Sequence, residues 1–185
     1  MSPEERREAL IDATRPLLYE HGRNVTTRLI AEAACVAEGT IFRVFDSKDE
    51  LVDATLAREF DPSRLTARLE EIDPTAPLRE KLLKLSSIMQ QRMRATFGLM
   101  RAMGMFGPPN RDDRERCAAD TENRRRMVAL IEPDAAELSV APAMLVHMLR
   151  LLTFAGSNEQ IADGQLLTPE QIVDTLLHGV LKESH

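Results

Sequence analysis

The sequence predicts an all-α protein of about nine helices, and three observations predict it. No segment alternates apolar and polar residues with period two over a useful length, so nothing reads as a strand. Apolar residues recur instead at i, i+3, i+4 and i+7 between successive breakers. Ser2-x-x-Glu5, Ser47-x-x-Glu50 and Thr168-x-x-Gln171 are capping boxes, in which each side chain satisfies a backbone N–H that the first helical turn leaves without a partner. The 185 residues, 43% hydrophobic, suffice for a small domain joined to a medium one.

The first helix runs from Pro3 to about Glu20, capped by Ser2, with proline at the first helical position. Leu10, Ala13, Leu17 and Leu18 form its inner face, and Gly22 suits the left-handed position past its end. Arg6, Arg7 and Arg15 read as a solvated face. Thr26 caps a second, short helix to about Ala34, with Ile30, Ala33 and Ala34 inward. A turn at Cys35-Val36-Ala37 leads to a third helix from about Glu38 to Phe45, where Ile41 and Phe45 face inward at i, i+4. Ser47 caps a fourth, carrying Leu51, Val52, Thr55, Leu56 and Phe60. Asp61-Pro62 breaks the pattern and divides a domain of residues 1–60 from a body of residues 61–185.

In that body a short amphipathic helix (Leu65, Leu69, Ile72) ends at Asp73-Pro74. Pro77 opens a long helix with Leu78, Leu82, Leu85, Met89, Met93, Phe97, Met100 and Met103 on its apolar side, terminated by Gly104, Gly107 and Pro108-Pro109. A charged helix follows from about Arg111 to Ile131, then a short element between Pro133 and Pro142. A strongly apolar helix spans Pro142 to about Ala155. The last helix follows Thr168 and carries Ile172, Val173, Leu176, Leu177, Val180 and Leu181.

Residues 26–45 meet the needs of a helix-turn-helix, whose second helix enters the major groove while the first braces it. Such a unit requires a small residue at the end of the first helix, a tight turn and apolar inner sides; Ala34, the 35–37 turn, Ile30, Val36, Ile41 and Phe45 supply them. The outward side of the second helix then shows Glu38, Thr40, Phe42 and Arg43. The pattern of Thr26, Arg28, Ile30, Ala31, Ala34 and Val36, followed by Gly39, Thr40, Ile41, Phe42, Arg43, Phe45, Ser47, Lys48, Glu50 and Leu51, resembles the N-terminal domain of TetR-type (TetR/AcrR) transcriptional regulators. The resemblance covers roughly 25 residues, and the all-α remainder agrees with it in architecture only.

That resemblance implies roles. Thr26 and Thr27 hydrogen-bond the DNA backbone, and Lys48 meets a phosphate at a helix N-terminus. Arg28 reaches a phosphate or a base edge, and Arg43 and Thr40 read bases. Three positions depart from the family. Cys35 stands where glycine is common at a turn that tends to need positive φ, which predicts local strain or a shifted turn. Ala37 replaces a capping serine, and Phe42 keeps the ring of the usual tyrosine but loses its phosphate-reaching hydroxyl.

The larger body carries no chemical motif. Met89, Met93, Phe97, Met100, Met103, Met105 and Phe106, joined by Met144, His147 and Met148, suit a soft pocket for an apolar or amphipathic effector; the plain alternative is ordinary core. Leu145, Leu149 and Leu152 with Ile172, Leu176 and Val180 form broad apolar faces suited to a homodimer, and a two-fold dimer would set two reading heads on palindromic double-stranded DNA.

Other functions are disfavoured. There is no Gly-rich phosphate loop, HExxH, GxSxG or plausible triad, so neither an enzyme nor a cofactor is expected. Cys35 and Cys117 lie far apart without metal spacing and read as free thiols in a reducing compartment, with redox sensing the alternative. No apolar run approaches the roughly 18 residues of a membrane span, and the N-terminus lacks a signal core, so a cytoplasmic location is expected. The net charge of −6, with eight Lys and Arg against twelve Asp and Glu in residues 1–60, counts against the DNA-binding reading and keeps a helical adaptor without DNA binding as the alternative.

Overall fold

The computed structural model describes residues 2–105 and 113–180, except the side chains of 113–117 and 180. Its α-helices are α1 (Pro3–His21), α2 (Thr27–Ala33), α3 (Lys48–Glu59), α4 (Ser63–Glu70), α5 (Leu78–Ala102), α6 (Asp113–Ile131), α7 (Pro142–Ser157) and α8 (Pro169–Val180). No β-strand occurs among the described residues. Phe106, Gly107, Pro108-Pro109, Leu181 and the side chains of Cys117 and Val180 fall outside what is described.

Helix starts follow the capping signals. Ser2 Oγ accepts from Glu5 N (3.1 Å) while the Ser2 N–H donates to Glu5 (2.6 Å). The same reciprocal pair forms between Thr168 and Gln171. At α3 the box is shifted: Ser47 Oγ accepts from Glu50 N, but the Glu50 carboxylate takes the N–H of Asp46 (2.6 Å) rather than that of Ser47. α5 ends as its glycine demands, with Gly104 at φ 64° and Met105 N bonded back to Met100 O (2.8 Å).

The chain forms two compact units, the first from the described parts of Met1–Asp61 and Thr96–Asn110, the second from those of Pro62–Ala95 and Arg111–His185. The end of α5 thus belongs with the N-terminal helices. In the first unit α1 is the brace against which α2 and α3 pack, over a core of Leu10, Leu18, Val25, Ile30, Ile41, Phe45, Leu51, Leu56, Leu99 and Met103. Ion pairs lock α1 to α3: Arg58 reaches Glu8 (2.6 Å) and Asp12 (3.3 Å), and Arg15 reaches Glu59 (3.8 Å). Arg7 is half-buried and also has partners within the unit. Its guanidinium lies 4.4 Å from the Phe45 ring centroid and 3.9 Å from Glu50, because Phe45 closes the core beneath α1 and offers the cation an aromatic face.

The second unit packs α4 through α8 around Leu82, Leu85, Met89, Met127, Ile131, Leu145, Leu149, Ile172 and Val173. Its buried cation, Lys81, donates to Pro74 O (3.3 Å) and Leu130 O (3.1 Å) and pairs with Asp134, so one ammonium joins the starts of α5 and of the 132–137 turn to the end of α6.

Candidate nucleic-acid interface

The turn after α2 closes through its carbonyls. Val36 N bonds to Ala31 O (2.9 Å) and Cys35 N to Glu32 O (3.2 Å), a geometry that places residue 35 in the left-handed region. Cys35 accordingly has φ 54° and is exposed. The strain expected of a non-glycine residue there is present, and the turn is not shifted.

Residues 38–43 form a 3-10 helix rather than the expected α-helix to residue 45. Thr40 N bonds to Ala37 O (2.8 Å) and Val44 N to Ile41 O (3.0 Å), the tight i→i+3 pattern. Ala37, at the N-cap, makes no side-chain bond, so the segment lacks the anchor that a serine would give. A different tie compensates: Thr27 Oγ1 donates to the Glu38 carboxylate, joining the first residue of α2 to the first of the 3-10 segment. Ile41 and Phe45 plug the core below.

The residues singled out from sequence fall into two groups. Arg28 and Arg43 are exposed and have no hydrogen-bond or ion-pair partner among the described residues. Phe42 beside them is 53% exposed, an unusual position for an aromatic ring in a monomer, and Thr40 is half-buried. Thr26, Thr27 and Lys48 already have work within the protein. Thr26 Oγ1 caps α2 by accepting from Leu29 N (3.2 Å), and Thr27 holds Glu38. Lys48 Nζ donates to Val25 O (3.1 Å) and Arg23 O (3.4 Å), tying the start of α3 to the segment before α2. An ammonium has three N–H groups, so one remains for an external acceptor.

The apolar residues assigned to a pocket and a dimer face are distributed otherwise. Met89 lies in the core of the second unit and Met103 in that of the first, and Met93, Phe97 and Met100 are half-buried. Met148 packs on the second core, whereas Met144 is half exposed and His147 exposed. Leu145, Leu149, Ile172 and Leu176 are buried inside the second unit, because α7 and α8 pack on each other and consume those faces; Leu152 packs against the same core. What α7 leaves outside is Met144 (50% exposed), His147, Leu151 (57%) and Phe154 (44%), a stripe at i, i+3, i+7, i+10. That spacing is in the sequence, but a helix apolar on both sides does not show which side is turned out.

The chain is similar to known regulatory proteins in sequence and in fold. The family model described as "Bacterial regulatory proteins, tetR family" matches residues 10–55. The HTH-type transcriptional repressor KstR of Rhodococcus jostii is 32% identical, over 91% of this chain and 83% of that protein. Among solved structures, a TetR-family transcriptional regulator from Haemophilus influenzae superposes with a TM-score of 0.56 at 21% identity, covering 97% of this chain and 98% of the other. A transcriptional regulator from Rhodococcus sp. Rha1 gives 0.59 at 19% identity with full coverage of both chains (100% each). At these identities the structural likeness is one of fold.

Proposed function

This chain belongs to the TetR family of bacterial regulatory proteins, DNA-binding regulators of transcription and not enzymes, and on that premise we propose that it is a repressor that binds a palindromic operator as a homodimer and is released by a small apolar or amphipathic effector. The observation that carries the DNA-reading part is the pair of arginines without internal partners. Arg28 and Arg43 stand exposed on a segment whose every other anchor is satisfied from within: Thr26 by α2, Thr27 by Glu38, Ile41 and Phe45 by the core. A guanidinium left unpaired on a braced surface element is suited to a guanine edge or a phosphate. Arg43 and Thr40 read bases; Arg28, Thr26, Thr27 and the remaining N–H of Lys48 hold the backbone, and Phe42 adds ring contact.

The two-fold partner is a second copy seated on the exposed α7 stripe. Three large apolar side chains at helical spacing form a contiguous patch of the kind that marks an interface. Leu151→Glu places a charge at its centre and is expected to give a monomer by sedimentation with unchanged helical content. A wild-type monomer at micromolar concentration would remove the two-headed reading.

The test of DNA reading is a footprint and titration on the DNA upstream of this chain's own gene at low salt. Arg43→Ala is expected to relax base preference by about tenfold or more at one position, whereas Arg28→Ala weakens all sequences alike. Equal loss for both variants at every site, or no protected palindrome from a folded dimer, overturns the assignment.

A further inference from the structure

One acid on the reading segment has no counter-charge. Around the braces α1 and α3 the acids Glu8, Asp12, Glu50 and Glu59 each lie against an arginine. Glu38, the first residue of the 3-10 segment, is exposed and pairs with no lysine, arginine or histidine among the described residues. Its carboxylate is nonetheless held in place. Thr27 Oγ1, from the first residue of α2, donates to Glu38 Oε1 across 11 residues of chain. The backbone on either side is fixed as well, with Val36 N on Ala31 O (2.9 Å) and Thr40 N on Ala37 O (2.8 Å). A carboxylate offers about four lone-pair sites, and Thr27 fills one of them. Glu38 Oε2 has no hydrogen-bond partner among the described residues.

The first residues of a recognition helix are those that reach base edges in the major groove. An ionised carboxylate there can only accept hydrogen bonds. Phosphates repel it. Guanine presents N7 and O6 and thymine O4, all acceptors, so both bases are refused as well. The donors in the groove are the exocyclic amines, N4 of cytosine and N6 of adenine. Adenine N6 stands between two acceptors, its own N7 and O4 of the paired thymine, whereas cytosine N4 has one such neighbour, O6 of the paired guanine. Repulsion from the second acceptor leaves cytosine as the better partner for a negative oxygen. The tie to Thr27 also removes rotamer freedom from a long side chain before DNA arrives, so less entropy is lost when the bond forms.

We propose that Glu38, positioned by Thr27, is a specificity residue that selects cytosine at one position of each half-site by accepting a hydrogen bond from its N4 amine. This role rests on the DNA reading proposed above, and it adds to Arg43 and Thr40 a reader of negative charge. The charge works in two ways. It weakens attraction to phosphates on every sequence alike, and the amine offsets that repulsion only at the matching site. Discrimination therefore rises while affinity for unrelated DNA falls.

The test is selection by the full chain from duplexes with a randomised centre, followed by anisotropy titration of the selected duplex with each base pair in turn at every position. The expected result is a wild-type preference for cytosine of about tenfold at one position per half-site, the value of a hydrogen bond to a charged group. Glu38→Gln leaves an oxygen for Thr27, so the tie survives, and its amide can donate to adenine N7 while accepting from N6. In that variant the preference should pass to adenine, and in Glu38→Ala it should disappear, with the other positions unchanged. Glu38→Ala should also bind a duplex lacking the site several-fold more tightly at low salt, which loss of a merely structural tie would not produce. Thr27→Val should flatten the cytosine preference without replacing the base, and Thr27→Ser, which keeps the hydroxyl, should restore it. If the wild type selects a sequence and both Glu38 variants keep its preference at every position, or lose affinity for all sequences alike, Glu38 is a structural tie and the proposal falls while the DNA reading stands. If the wild type selects no sequence, the DNA reading falls and this role with it.

Discussion

Gly22 is the position where a single methyl group should do most damage. It ends α1 with φ 55° and ψ −133°, a conformation that side chains other than hydrogen resist. Its backbone also lies against the last carbonyl of α5: a Cβ at residue 22 would sit 2.1 Å from Ala102 O and 3.0 Å from Ala102 C. Arg23 adds a bond from Nε to Met103 O (3.3 Å) at the same junction, so neither helix end is free to retreat. For Gly22→Ala the backbone conformation costs about 1–3 kcal/mol. Relieving the overlap demands a shift near 1 Å in one helix end, comparable to overpacking a core, for another 1–3 kcal/mol or so. A total of about 2–6 kcal/mol is a large share of the roughly 5–15 kcal/mol that holds a native domain. The assay has a built-in probe. The chain has one tyrosine and no tryptophan, and Tyr19 lies on α1 beside Gly98 of α5, where a Cβ would be 3.5 Å from its ring. Urea unfolding followed by tyrosine fluorescence and by far-UV circular dichroism should show the midpoint falling, with the fluorescence change leading. A loss below about 1 kcal/mol with an unaltered Tyr19 signal would refute the argument, since it requires the two helix ends to part without cost.

Three further outcomes follow from other contacts. Cys35→Gly removes left-handed strain worth about 1–2 kcal/mol but adds unfolded-chain freedom worth about 0.4–1 kcal/mol, so urea midpoints should show a gain between zero and about 1.5 kcal/mol; a clear loss contradicts the turn geometry. Lys81→Met leaves Asp134 and two carbonyls without their cation in the core of the second unit, and calorimetry should show destabilisation of about 3–5 kcal/mol. The Asp73 carboxyl is held below its ordinary range, first by the Thr75 hydroxyl and then by the Thr75 backbone N–H, both on Oδ1. A depressed carboxyl stabilises the fold above its unfolded pKa and ceases to do so as pH falls through the folded one. Thr75→Val should therefore raise the Asp73 midpoint in a carbon-detected titration and lower stability at neutral pH but not in acid; an unmoved midpoint would assign the shift elsewhere.

What the sequence made legible were features whose cause is local. Ser2, Ser47 and Thr168 open helices because their side chains satisfy N–H groups within the same turn, and Gly104 closes α5 because it alone among its neighbours takes positive φ without penalty. The left-handed turn at Cys35 was legible through the resemblance, not the residue, since cysteine has no preference for it. The 3-10 form of residues 38–43 was not legible: Gly39 and the weak helix formers around it show only that an α-helix is poorly supported there, and the Thr27–Glu38 tie that accompanies the tighter form spans 11 residues. The outward side of α7 was hidden for another reason. Periodicity reveals a face only by contrast, and residues 142–157 are apolar on both sides. Residues 69–74 and 126–130 line one shallow surface cleft, a pairing that no local pattern encodes.

The acidity of the N-terminal residues weighs less once the charges are placed. Glu8 and Asp12 are taken up by Arg58, Glu59 by Arg15, and Glu50 by Arg7 and the Asp46 N–H, all around the braces α1 and α3. Those pairs withdraw arginines as well as acids, which leaves Arg28, Arg43 and part of Lys48 as the cations of the reading segment. If each head neutralises two or three phosphates, a dimer neutralises four to six, and log K against log[salt] should fall with a slope of about −4 to −5. Fluorescence anisotropy of an operator duplex between 50 and 200 mM salt, on the order used for such slopes, measures it directly. Arg28→Ala should make the slope shallower by about 2 in the dimer, one phosphate per head. A wild-type slope steeper than about −8 would mean that phosphates are met by cations outside residues 26–48, and the reading segment would no longer account for the binding.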